Sequence, residues 1–286
     1  DYDEGATGTV RETFHNRTGN CLSFTMLFVT LARAAGLDVS YEMVDVPPMW
    51  SAQSGVLVLT KHINARIKTL SREGDYVVDF DRTNFKANYR RREVSDHYAL
   101  ALFYSNRGAE ALLDGNYHES FVNFKAAIET DPSAASAWVN LGLLYSRLGQ
   151  NERAESAYLH ALTVDPDEPS ALTDLAAFYR RIGKDAEAEL YRKRIRRFQE
   201  KNPYYHYFLA RDAYREQRFD AALAALNKAI KLKGDEHEFY LLQGRAYRSL
   251  GKTRDAERSF ALALKYMPAG GRQADSRLDA PSDLLP

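Results

Sequence analysis

The chain has 286 residues, 45% hydrophobic and 27% charged, a composition that folds into about two domains rather than staying disordered. Lys+Arg and Asp+Glu balance at 39 each, so no global charge draws it to nucleic acid or to an anionic membrane. No apolar run reaches the roughly 18 residues of a transmembrane helix, and a single cysteine excludes an internal disulfide while leaving the compartment open. No secretory signal is visible, and the chain begins at Asp1 without a methionine, as expected of a processed form or of a piece cut for expression; the loss of a leader stays open.

Near the N-terminus, Thr18-Gly19-Asn20 is a turn signal. Cys21 follows it and opens an apolar stretch. Phe24, Leu27, Phe28, Leu31, Ala32 and Ala35 keep a helical period, and Gly36 is a C-terminal stop. Cys21 is thus expected in the first turn of a helix, where free backbone N–H groups and the positive dipole end favour a thiolate. Three strand-like runs come next, at Val39 to Val46, Val56 to Ile67 and Tyr76 to Asp81. Strand alternation puts His62, Asn64 and Arg66 on one face of the second, and Asp79 and Asp81 on one face of the third. Adjacent antiparallel strands bring His62 opposite an aspartate. A thiolate nucleophile needs a base in reach, and the base needs a group that orients it. Trp50 is expected on a loop, as a wall of the cleft or a cover on the core. His15 and His97 read as surface residues.

This order, a cysteine helix followed by histidine and aspartate strands, resembles the transglutaminase-like superfamily, which is papain-like in fold. The resemblance implies an α+β thiol domain over residues 1–95. It makes Cys21 the nucleophile, His62 the general base and acid, and Asp79 the orienter, with Asp81 as the alternative. The Cys21 backbone N–H, with Asn16 or Asn20, would supply oxyanion donors. Ile63 and Asn64 follow His62 where the family carries a tryptophan, and Tyr76 stands where it has another. No acidic cluster suggests calcium, and no cofactor or metal is called for.

From residue 101 the sequence repeats every 34 residues. Gly108, Gly142, Ala176, Ala210 and Gly244 keep the spacing, as do Ser120, Ala154, Ala188, Ala222 and Ala256. A fixed period of this length means stacked helix–turn–helix units. Trp138, Leu141, Gly142, Tyr145, Ala154, Tyr158, Ala161 and Pro166 resemble the tetratricopeptide repeat, which implies five repeats over 101–270 in a right-handed superhelix. The third and fourth are degenerate: Glu200 and Gly234 replace the closing proline, and Arg192 and Leu226 replace the aromatic. The junction with the first domain is expected between Asn84 and His97, where Arg90, Arg91, Arg92 and Glu93 break the apolar pattern. Residues 271–286 read as a loose tail.

Carried over from the repeat family, the concave face holds Arg147, Arg180, Arg181, Arg211, Arg215, Arg245 and Arg248, with Tyr204, Tyr207 and Tyr214. That set implies a protein or peptide partner, an acidic or C-terminal segment, in the groove. The plainer reading is a solvated helix face. Asn106 and Asn140, 34 apart, would bind peptide backbone. Ser105 and Ala109 stand where some family members carry a carboxylate clamp, so that clamp is absent. Two functions follow. One is a thiol enzyme acting on amide or peptide bonds through an acyl-thioester, as peptidase, amidase or acyl transferase, with the repeats recruiting a protein. The other is an interaction scaffold whose papain-like domain is catalytically inactive.

Overall fold

The computed structural model describes residues 1–3, 5–44, 49–50, 57–58, 62–69, 74–80 and 91–267. Asp81 and the tail at 271–286 lie outside them. Two compact units divide the chain. The first runs from the N-terminus to Ile195, and the second holds the C-terminal helices with one small pair of strands.

In the first unit, α1 (Val10–Asn16) and α2 (Cys21–Ala34) precede a four-stranded antiparallel sheet. Its strands are β1 (Val39–Val44), β4 (His62–Ile67), β5 (Tyr76–Val78) and β6 (Arg91–Val94), in the order β5-β4-β1-β6. Register runs Val39↔Ile67 to Val44↔His62 between β1 and β4, and Ala65↔Val78 between β4 and β5. Of the implied papain-like fold, the described residues form this small sheet and its helices. Strand β4 begins at His62. Leu57–Val58 (β3) instead pairs with Met49–Trp50 (β2) as a separate ladder, so Trp50 lies in a strand and not in a loop.

Arg91 to Glu93 of the charged run expected to break the chain lie in a strand, and Arg90 lies outside the described residues. In β6, Val94 is buried, Arg91 Nη1 lies 3.8 Å from the buried Glu42, and Glu93 meets Lys68 at 2.9 Å. Arg92 lies over the Tyr98 ring at 5.1 Å. Charged residues suit an edge strand because its outer face stays in water. Ser95 then caps α3 (Asp96–Leu113) by accepting from Tyr98 N, so this helix starts five residues earlier than the repeat period predicts. One core joins Leu22 and Val29 of α2, Met43, Ile63 and Ala65 of the sheet, and Tyr98, Leu102 and Phe103 of α3. It extends to Ala127 of α4 (Tyr117–Thr130) and to Ala137 of α5 (Ala135–Arg147).

The remaining helices are α6 (Asn151–Val164), α7 (Pro169–Arg181), α8 (Asp185–Lys201), α9 (Pro203–Arg215), α10 (Phe219–Leu232), α11 (His237–Ser249) and α12 (Thr253–Tyr266). With α3 to α5 they make five antiparallel pairs, and the second helix of every pair starts 34 residues after the last. The turn inside each pair needs a left-handed residue. Gly115, Gly149, Gly183 and Gly251 provide it at φ 71° to 77°, and Gln217 does so at φ 58°. Helix α8 has 17 residues where the other second helices have 14, because Glu200 lets it run on where proline would stop it.

Packing within the pairs explains the degenerate repeats. A Cβ on Gly108, Gly142 or Gly244 would meet the ring of Phe124, Tyr158 or Phe260 at 2.5–2.7 Å. Where the small position gains a methyl, at Ala176 and Ala210, the residue facing it by register is Arg192 or Leu226 and not an aromatic. At Ala210 and Leu226, which share one buried core, the two replacements are one volume exchange.

Candidate thiol site and repeat faces

Cys21 is the first residue of α2 and is half-buried. Its position follows from Asn20, whose extended backbone ends the preceding turn and whose Oδ1 accepts from Ser23 N at 3.0 Å. Asn20 Nδ2 donates to Thr7 Oγ1 at 2.7 Å, so the amide named as an oxyanion donor is already engaged at both ends. Asn16 is the exposed last residue of α1. Thr25 Oγ1 donates to Ile63 O at 3.3 Å and ties the cysteine helix to the histidine strand.

His62 opens β4 and is completely buried. Its Nε2 lies 2.7 Å from Asp79 Oδ2, and Asn64 Nδ2 donates to the same oxygen at 3.2 Å. The register Ala65↔Val78 sets Asp79 beside Asn64, and the carboxylate spans the two residues back to His62. Phe80, next in the chain, turns the other way. Its ring stacks on Phe24 at 5.7 Å and tilts against Phe28 at 6.1 Å, both on α2. This pins the backbone from which Asp79 reaches the imidazole.

Burial alone would lower the His62 pKa. The hydrogen bond to Asp79, the interaction with the Cys21 thiol and the charges of both outweigh it, and the pKa rises to about 9. At neutral pH the ring is an imidazolium whose Nε2–H donates to Asp79. Its Nδ1 has no hydrogen-bond partner among the described residues, yet Cys21 is near enough to act on the ring. A buried ring held by a carboxylate, near a thiol at a helix start, is an arrangement that can pass a proton. Asn64 and Phe80 were missed as site residues. The two-residue spacing from His62 was the available signal for Asn64, and Phe80 had none beyond its neighbourhood to Asp79. Among the described residues, no group of three or more His, Cys, Asp or Glu is placed to hold a metal ion. None of the described helices is long and apolar enough to cross a membrane.

Several proposed groove residues in the first unit connect neighbouring repeats. Arg147 Nη1 donates to Leu112 O at 3.0 Å, and Arg181 Nη2 to Ser146 Oγ at 2.9 Å. Asn140 Nδ2 donates to Ser105 Oγ at 3.0 Å, so its donor is committed to the preceding repeat. Asn106 and Arg180 are exposed. In the second unit, Tyr207 packs on Phe239 at 5.0 Å with Arg211 over its ring at 6.0 Å, and Tyr214 packs on Phe219 at 5.4 Å. Tyr204 belongs to an internal cluster, donating to Glu236 at 2.7 Å and accepting from Lys233 at 2.8 Å. Arg211, Arg215, Arg245 and Arg248 are exposed along α9 and α11.

Sequence models of the tetratricopeptide repeat match residues 135–168 and 207–274. No curated protein matches the chain. Among solved structures, "MamA MSR-1 C2" is 20% identical with a TM-score of 0.31, over 58% of this chain and 95% of the other. "MamA 41-end from Desulfovibrio magneticus RS-1" is 17% identical with a TM-score of 0.33, over 60% and 96%. Pseudomonas aeruginosa pilF is 17% identical with a TM-score of 0.36, over 61% and 79%. Segments 135–168 and 207–274 of this chain are therefore tetratricopeptide repeats, a type of unit that serves protein–protein interaction.

Proposed function

We propose that this protein is a partner-recruiting repeat protein with a thiol centre that acts on amide or peptide bonds, in a compact papain-like domain built on α2 and the four-stranded sheet. Supporting it is the His62 Nε2 to Asp79 Oδ2 contact of 2.7 Å, with Cys21 near enough to act on the same ring. In this reading Cys21 Sγ adds to the substrate carbonyl carbon, forming a C–S bond. The C–N bond breaks as His62 gives its proton to the leaving amine. Water, deprotonated by the now neutral His62, then cleaves the thioester to a carboxylic acid and restores the thiolate beside the imidazolium; an amine in place of water gives acyl transfer. The backbone N–H groups at the start of α2 are the oxyanion donors this geometry favours. Asp79 orients His62 and stabilises its charged form.

The test is labelling of the full chain by an acyl-directed electrophilic probe, with the adduct located by mass spectrometry. Cys21 is expected to carry the adduct, and Cys21→Ala to remove labelling without unfolding the chain. Labelling that survives Cys21→Ala, or a Cys21 that reacts no faster than a free thiol, overturns this reading. The scaffold reading, with the His62–Asp79 pair purely structural, then stands on the repeat matches at 135–168 and 207–274.

A further inference from the structure

We infer that Asn64 is a positioning residue of the thiol centre, acting on His62 through the carboxylate of Asp79; this rests on the reading of Cys21, His62 and Asp79 given above. Asn64 follows His62 by two residues on one strand, so both side chains leave the same face and their spacing is fixed by the backbone. Both donate to one atom. His62 Nε2 and Asn64 Nδ2 lie 2.7 and 3.2 Å from Asp79 Oδ2. Asp79 sits just past the end of β5, so strand pairing alone does not hold its side chain in register. The second donor restricts the carboxylate to the orientation in which it also meets the imidazole.

Packing alone does not account for this residue. Asn64 is completely buried, and its Oδ1 has no hydrogen-bond partner among the described residues. A buried amide with one end unsatisfied loses free energy relative to an apolar side chain of the same size. What Asn64 gains in return is the bond to Asp79. With the carboxylate held, the ring keeps Nε2 on Asp79 while Cys21 acts on it from the start of α2.

The test uses the full chain and two readouts that a purely structural role would not move: the His62 titration by ring NMR signals, and the pH profile of Cys21 alkylation by iodoacetamide. Asn64→Leu keeps the branched shape and removes the donor, at the cost of added bulk. It is expected to bring the His62 midpoint from about 9 to about 8 and to slow alkylation at pH 7 about tenfold. In the Asp79→Asn background, Asn64→Leu should change neither readout further, because its route to His62 is gone. Asn64→Ser, which shortens the donor out of reach without adding bulk, is the second variant and should match Asn64→Leu. A folded Asn64 variant with an unchanged His62 midpoint, or an effect that adds to that of Asp79→Asn, overturns the inference. A wild-type Cys21 as slow as a free thiol overturns the enzyme reading instead, and the His62 midpoint then decides Asn64 by itself.

Discussion

Gly142 and Tyr158 pack so closely that a Cβ on the glycine would lie 2.7 Å from the ring carbons of the tyrosine. Tyr158 is fully buried and has no room to retreat. Gly142→Ala is therefore expected to destabilise the chain by about 1–3 kcal/mol, read as a lower urea midpoint. Adding Tyr158→Leu should recover part of that loss, as Ala210 beside Leu226 shows is compatible with the fold. If the double variant is no more stable than the sum of the single changes, the two positions are not exchanging volume.

Gln217 takes the left-handed turn position that glycine fills in the other four pairs. A side chain in that region carries a conformational cost. Gln217→Gly should raise stability by about 1 kcal/mol, with no change in the dependence on denaturant. Circular dichroism during urea unfolding measures it. A loss of stability would mean that the Gln217 side chain makes contacts worth more than the turn.

The His62–Asp79 pair gives stability a defined pH dependence. His62 moves from an ordinary 6.5 to about 9 on folding. Its contribution is therefore complete below about 6.5, fades as the pH rises through about 9, and is gone above it; the full shift corresponds to about 3 kcal/mol. Unfolding free energies at pH 6 and pH 9.5 should differ more in the wild type than in Asp79→Asn. Parallel curves for the two proteins would rule out an ion pair at this site.

Phe80 holds the segment carrying Asp79 against Phe24 and Phe28. Phe80→Leu keeps an apolar side chain but loses the ring stacking, and should cost about 1 kcal/mol. The more telling readout is the His62 titration, whose midpoint should fall because the carboxylate is less firmly placed. An unchanged midpoint in a folded variant would confine Phe80 to the core.

Arg211 and Arg215 are exposed on α9, beside the half-buried Tyr207 and Tyr214. Acidic peptides are expected to bind there more weakly as salt rises. Charge reversal of both arginines should weaken binding about tenfold or more, measured by fluorescence anisotropy with a labelled peptide. Equal affinity for the reversed protein would leave these arginines as a solvated face.

The five helix pairs were legible because a period of 34 residues is a local rule repeated from one pair to the next. Gly115, Gly149, Gly183 and Gly251 carry that period too, as the turn that separates the two helices. Cys21 at a helix start was equally legible, since Thr18-Gly19-Asn20 and the apolar period after it are local signals. The histidine and aspartate could be named from strand alternation, but their meeting could not be fixed, because Asp79 leaves its strand before reaching His62. Only tertiary packing sets that distance, through Asn64 across the ladder and Phe80 on α2. The strand Arg91–Val94 was hidden for a related reason. Its charges look like a break when read along the chain, and become an edge strand only when Glu42, Lys68 and Tyr98 arrive from elsewhere to answer them. Groove residues such as Arg147 and Asn140 changed meaning in the same way: the sequence determined their period, and the stacking of one repeat on the next decided which of their donors were already taken.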